Sequence, residues 1–228
     1  MQSGDGDWFR SWTFPVLLAG IALAFDADDR QIPFAVLATG PVDEFAHLAT
    51  GALGMLALAC FIDAPRRFYV AGLIASVAID LDHIADYLGL MGPQPGRPVT
   101  HSLSTVVLVV VAAAAFRRHR AVLAGAAAGL LIHFARDIAE GPPGVRMFWP
   151  LSDTAWTASF GWFLAMILTF TVVRLTFAAV GIPRTRIRLF QPPAPASPPI
   201  SAATPGDRDP GIRTAGPGRE GADETSRT

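Results

Sequence analysis

Four of the five histidines in this chain stand inside or at the edge of strongly apolar stretches. They are His47, His83, His101 and His133, and the carboxylates Asp80, Asp82, Asp86 and Asp137 keep them company. Ionisable groups in such surroundings are costly to bury and are retained where they bind ions, move protons or meet a partner. Their spacing is that of paired ligands. His133 and Asp137 are i, i+4 and Asp80 and His83 are i, i+3, so each pair shares one helix face. Asp82 points elsewhere on a regular helix. Either the helix departs from regularity there, or Asp82 orients a histidine that holds a metal. His and Asp without thiolates suit zinc, manganese, iron or magnesium better than copper(I) or an iron–sulfur cluster.

Apolar helices must position these groups. Of 228 residues 51% are hydrophobic and 16% charged, against about 25% charged in an ordinary soluble domain. Polarity is concentrated from Pro183 to Thr228, where the chain is Pro-, Arg-, Gly- and Ser-rich. The expected fold is all-α: a polytopic membrane helical bundle over residues 1–182, with about five to six transmembrane helices, and a disordered tail over 183–228. The apolar stretches run Ser11–Phe25, Phe45–Ile62, Phe68–Leu90, Thr100–Phe116, Ala121–Ile138 and Ala155–Gly181. The first is read as an uncleaved helix, because Asp5 and Asp7 make a poor signal-peptide start. Ile32–Val42, holding Pro33, Gly40 and Pro41, is read as an interfacial segment.

Alternating the spans places nine arginines on one side (10, 66, 67, 117, 118, 120, 184, 186 and 188) and three on the other (30, 97 and 146). The nine mark the cytoplasmic side, with both termini inside. Trp8, Trp12, Trp149 and Trp156 fall at span ends, as an aromatic belt requires. Counted from the inner arginines at 1.5 Å per residue, His47, Asp80–His83, His101, His133 and Asp137 lie roughly 20–28 Å from the inner boundary. Four helices thus deliver His and Asp to one layer in the outer half of the membrane. A net charge of −1 gives no reason to expect a nucleic-acid partner, and the single Cys60 excludes an intrachain disulfide.

Blander roles suit several neighbours. Thr100 and Ser102 read as cap or hydrogen-bonding residues, His119 as a solvated loop residue, and Asp63 and Arg174 as boundary groups. Asp86 reads as facing the outer loop.

The order His47-x-x-x-Gly51, Asp80-Leu81-Asp82-His83, Arg97-x-x-Thr100-His101-Ser102 and His133-x-x-x-Asp137 resembles a bacterial membrane family. So does the closing Gly144-Val145-x-x-Phe148-Trp149-Pro150. The family is the YdjM-like group of LexA-binding, inner-membrane-associated metal-dependent hydrolases, and the resemblance spans His47 to Pro150. It implies a small multi-helix protein of the bacterial inner membrane in which His47, Asp80, Asp82, His101, His133 and Asp137 are the matching site positions. Two departures stand out. Ile79 replaces a frequent Pro, and Gly96 and Pro98 stand where the family often has His and Gly.

The leading expectation is a hydrolase using a divalent metal, zinc or manganese first, held by Asp80, Asp82, His101, His133 and Asp137. His47 and His83 are the candidate catalytic groups. At that depth a lipid headgroup or lipid-linked phosphoester is within reach, so membrane lipids are the expected partners. Residues 140–153 could cover the site. A metal or proton transporter is the second class, but the inner halves of the spans are almost free of His and carboxylate. A non-catalytic protein whose polar layer holds its helices together is the third.

Overall fold

The computed structural model describes residues 12–29, 36–88, 90, 97–180 and 187–188, with backbone alone for 26–29, 36–41, 86, 87, 187 and 188. The helices run α1 Thr13–Asp29, α2 Val36–Phe61, α3 Arg66–Ala78, α4 Asp82–Tyr87, α5 Leu103–Ala115, α6 Arg120–Asp137 and α7 Phe160–Val180. Among the described residues, four stretches are long and apolar enough to cross a membrane: Val42–Phe61, Arg66–Ala85, Arg117–Glu140 and Phe160–Val180. Thr13–Phe25 and Leu103–Ala115 are shorter apolar helices. The chain is an all-α membrane bundle.

Glycine at four-residue spacing sets how closely the central helices meet. A Cβ on Gly125 would lie 2.0 Å from the Phe68 carbonyl oxygen, and one on Gly129 would lie 2.0 Å from that of Gly72. Helices α3 and α6 therefore touch backbone to backbone, an approach that only residues without side chains allow. Gly51 of α2 admits the third helix, because a Cβ there would sit 2.2 Å from Ser76 Oγ. Around this centre two apolar clusters close the bundle. Ala22, Ala49, Leu53, Phe163, Met166 and Ile167 join α1, α2 and α7. Val106, Ala127, Leu130 and Phe134 join α5 to α6. The outward faces, such as Val107, Leu108, Val110 and Val111 of α5 and Leu164, Leu168 and Val172 of α7, are exposed apolar residues suited to lipid.

Several boundaries differ from the sequence expectation; α7, for one, starts at Phe160 rather than Ala155. The third span is not one regular helix: a 3-10 turn at Ile79–Leu81 separates α3 from α4, and its tighter winding turns the following residues to a new face. Helix α5 starts at Leu103 rather than Thr100, with Ser102 extended before it at φ −143° and ψ 158°. Residues 36–42, read as part of an interfacial segment, are helical and open α2, whose membrane-length apolar stretch begins at Val42. Pro41 falls within the first two turns, where its missing N–H removes at most one intrahelical bond. A short parallel pairing joins β1, Ile62–Asp63, to β2, Ile187–Arg188. The remainder of the 183–228 tail, Trp8 and the Asp86 side chain lie outside the described residues and side chains.

Candidate metal centre

The same four-residue stripes that pack the helices carry the ionisable groups at one end of the bundle. On α6 the stripe Ala121, Gly125, Gly129 continues into His133 and Asp137. On α3 Phe68, Gly72 and Ser76 lead to Asp80, and on α2 Met55 and Gly51 lead back to His47 and Asp43. Residues four apart stack along one helix face, so close packing at the glycines brings the chemistry-bearing residues together. His133 Nδ1 shows this directly by donating to the Ser76 carbonyl oxygen at 3.0 Å. A carbonyl can only accept, so in the neutral ring Nε2 carries the lone pair.

That Nε2 faces carboxylates. It lies 3.1 Å from Asp137 Oδ2 and 3.5 Å from Asp80 Oδ1. His101 Nε2 completes the set, 3.1 Å from the same Asp80 oxygen and 3.5 Å from the same Asp137 oxygen. Four ligand-type atoms thus stand across edges of 3.1 to 3.5 Å. Asp80, His101 and His133 each offer an atom within 4.8 Å of the others, and so do His47, His133 and Asp137, so either group could hold a metal ion. His133 Nε2 and both Asp137 oxygens are buried and make no hydrogen bond, as does Asp80 Oδ2. Buried polar atoms left in this condition are expensive unless an ion or water meets them.

All seven residues singled out in the sequence meet here. Asp82 Oδ2 lies 3.4 Å from His101 Nδ1, on the opposite edge of the ring from Asp80, and accepts from the Thr100 hydroxyl. A carboxylate on the far nitrogen fixes ring orientation and tautomer. His83, half-buried, has its Nε2 3.6 Å from Asp80 Oδ1. His47 is fully buried, stacked on His133 with ring centroids 4.0 Å apart. Its Nε2 is 3.3 Å from Asp137 Oδ1. Thr100 acts as a hydrogen-bonding residue, whereas Ser102 bonds Ser104 Oγ at 2.7 Å instead of capping α5.

Other participants escaped the sequence reading. Asp43 and Glu140 each place an oxygen 3.6 Å from His47 Nε2. Arg136, buried, pairs with Glu140 and lies 2.7 Å from Asp43, while its guanidinium carbon sits 5.9 Å from the centre of the Phe163 ring. Arg97 pairs with Glu140 and stands 3.7 Å from Asp137. The missed signals were i, i+4 spacings, Asp43 to His47 and Arg136 to Glu140, of the kind that marked His133 and Asp137. Asp43, Asp80, Asp82, Asp137 and Glu140 outnumber the guanidiniums of Arg97 and Arg136 within these pairs. Buried negative charge in excess calls for bound cations or protonated histidines.

Residues after α6 fold onto this end. Val145 pairs with Trp156 in both directions, at 2.9 and 2.8 Å, and Gly144, at φ 78°, accepts from the Arg97 backbone N–H at 3.1 Å. The Met147 carbonyl takes the Leu103 N–H at 2.9 Å, so this loop also anchors the start of α5 beside His101.

Backbone-close helices that converge on a buried His and carboxylate cluster define a multi-helix membrane protein with a metal-type centre. Residues 42–193 match the model of the family described as YdjM inner membrane protein. The chain belongs to that family. No curated protein and no solved structure matches it.

Proposed function

We propose that this protein is a metal-dependent hydrolase of the bacterial inner membrane, with its site near the outer face and both termini in the cytoplasm. The buried cluster of Asp80, His101, His133 and Asp137 carries the reading, since each histidine Nε2 lies 3.1 to 3.5 Å from an oxygen of both carboxylates and His133 Nε2 and both Asp137 oxygens have no hydrogen-bond partner. Zinc is the first candidate and manganese the next, as suits a set of His and Asp without thiolates. A divalent cation held there supplies Lewis acidity, polarising a phosphoryl or carbonyl oxygen and lowering the pKa of a water enough for attack at neutral pH.

The chain's own residues do the rest. Asp82, held by Thr100, stands 3.4 Å from His101 Nδ1, the ring nitrogen turned away from Asp80 and Asp137. His83, at the half-buried edge, exchanges protons with the attacking water and the leaving group. Phe134, 1% exposed, walls the histidines from lipid with its ring centre 5.6 Å from that of His101. A lipid headgroup ester or lipid-linked phosphoester is the substrate class that reaches this depth. Transport fits less well. Away from the cluster the α3 and α6 stripes continue as Ser76, Gly72 and Phe68, and as Gly129, Gly125 and Ala121, with no ionisable step.

The test is turnover of phospholipids, lipid phosphates and carboxylic esters in mixed micelles with zinc or manganese supplied. Expected is hydrolysis of one class that stops with chelator, returns with metal, and falls at least tenfold in His83→Ala while bound metal is kept. A metal-loaded protein silent on all three classes would overturn the reading.

A further inference from the structure

The two oxygens of Asp137 are addressed by two different histidines. Oδ2 faces His133 Nε2 at 3.1 Å, and Oδ1 faces His47 Nε2 at 3.3 Å. The two rings lie side by side, tilted by only 23°, so they point at the two ends of one carboxylate. On the Oδ2 side stand Asp80 and His101, already described. On the Oδ1 side stand Asp43 Oδ1 and Glu140 Oε1, each 3.6 Å from His47 Nε2.

His47 itself is the second observation. It is 1% exposed, and neither ring nitrogen makes a hydrogen bond. A buried neutral imidazole with Nε2 turned to three carboxylate oxygens and no bond to any of them is electrostatically unfavourable; protonation of the ring or a cation standing between relieves it. Asp43, His47 and Glu140 each offer an atom within 4.8 Å of the others. Arg136 reaches the same Asp43 and Glu140 oxygens. Arg136 holds these two carboxylates in place and Arg97 pairs with Glu140 and stands 3.7 Å from Asp137, so two guanidinium charges face the three of Asp43, Glu140 and Asp137.

We propose that Asp137 bridges two divalent cations: one held by Asp80, His101 and His133, the other by His47 with Asp43 and Glu140. This rests on the metal centre of the hydrolase reading and adds a second position to it. Cations sharing a bridging carboxylate stand about 3.5–4 Å apart, as in two-metal hydrolytic sites that clamp both oxygens of a phosphoryl displacement.

The experiment uses the full chain in detergent, stripped and reloaded with zinc or manganese. Bound metal is counted by elemental analysis after dialysis, and the manganese form is examined by electron paramagnetic resonance. Expected are two equivalents per chain and a spin-coupled manganese spectrum. His47→Ala and the shape-conserving Asp43→Asn should each halve the bound metal and convert the spectrum to that of isolated manganese. One equivalent with an uncoupled spectrum in the parent protein would overturn the second position and leave the first intact. Two equivalents without spin coupling would overturn bridging by Asp137. No bound metal would overturn the hydrolase reading and this inference with it.

Discussion

A methyl group on Gly129, 4 residues before His133, should empty the metal centre without touching a ligand. The added Cβ would stand 2.0 Å from the Gly72 carbonyl oxygen, where real Cβ atoms essentially never come nearer than 3.0 Å. The obstacle is backbone, so α3 and α6 must part by 1.0 Å or more. Opening by that amount stretches the bond from His133 Nδ1 to the Ser76 carbonyl, 3.0 Å long, to about 4 Å, beyond hydrogen-bond range. It also takes His133 Nε2 and Asp80 Oδ1, now 3.5 Å apart, to roughly 4.5 Å. Two ligands at 2.0–2.1 Å from one ion can be no more than about 4.2 Å apart. His133 and Asp80 can then no longer share a cation. Overpacking of this kind costs about 1–3 kcal/mol in stability. Gly20→Ala is the matched control, because a Cβ there meets nothing within 4 Å. Zinc bound per chain and thermal midpoint are measured for both variants. Expected is parent-like behaviour for Gly20→Ala and at least a tenfold loss of zinc affinity for Gly129→Ala. Full zinc retention and an unchanged midpoint in Gly129→Ala would show that helix contact does not set the ligand geometry.

Three further outcomes are expected. Thr100→Val removes the hydroxyl that donates to Asp82, so metal affinity should fall about 10–100-fold, as for other groups that orient a ligand; a competition titration reads it. Ser76→Ala should keep metal within twofold, since His133 bonds the backbone oxygen and Ser76 Oγ bonds the Leu73 carbonyl at 2.9 Å. Arg136→Met should lower stability by about 3–5 kcal/mol, because Asp43 then loses its guanidinium while Glu140 keeps only Arg97; thermal unfolding in detergent measures it, and a neutral result would mean that Asp43 is already offset by another cation.

Much of the site was legible because helical chemistry repeats every three to four residues. His133 with Asp137 and Asp80 with His83 share faces on α6 and across the α3–α4 junction, and the apolar runs around them mark the helices. The glycines that bring those faces together were visible too, but their partner was not: nothing local tells Gly125 that it will meet Phe68. For Asp82 the sequence leaves two alternatives, an irregular helix or a carboxylate that orients a histidine, and the structure has both: a 3-10 turn at Ile79–Leu81 and Asp82 on the far edge of His101. Asp43 and Glu140 were passed over because each stands near a helix end, where a carboxylate ordinarily faces water. Only the folded bundle shows them turned inward, toward His47 and Arg136. Arg97 looked like a topology signal and is a partner of Glu140.

The most direct measurement is zinc content of the purified chain beside Asp80→Ala and His133→Ala, which remove one carboxylate and one imidazole of the cluster. Parent protein should retain zinc at one or more equivalents through dialysis, and either substitution should reduce the Asp80–His101–His133–Asp137 position to background. Parent protein that holds no zinc after loading, with both variants equally stable, would leave a layer of polar contacts that packs helices and binds no ion.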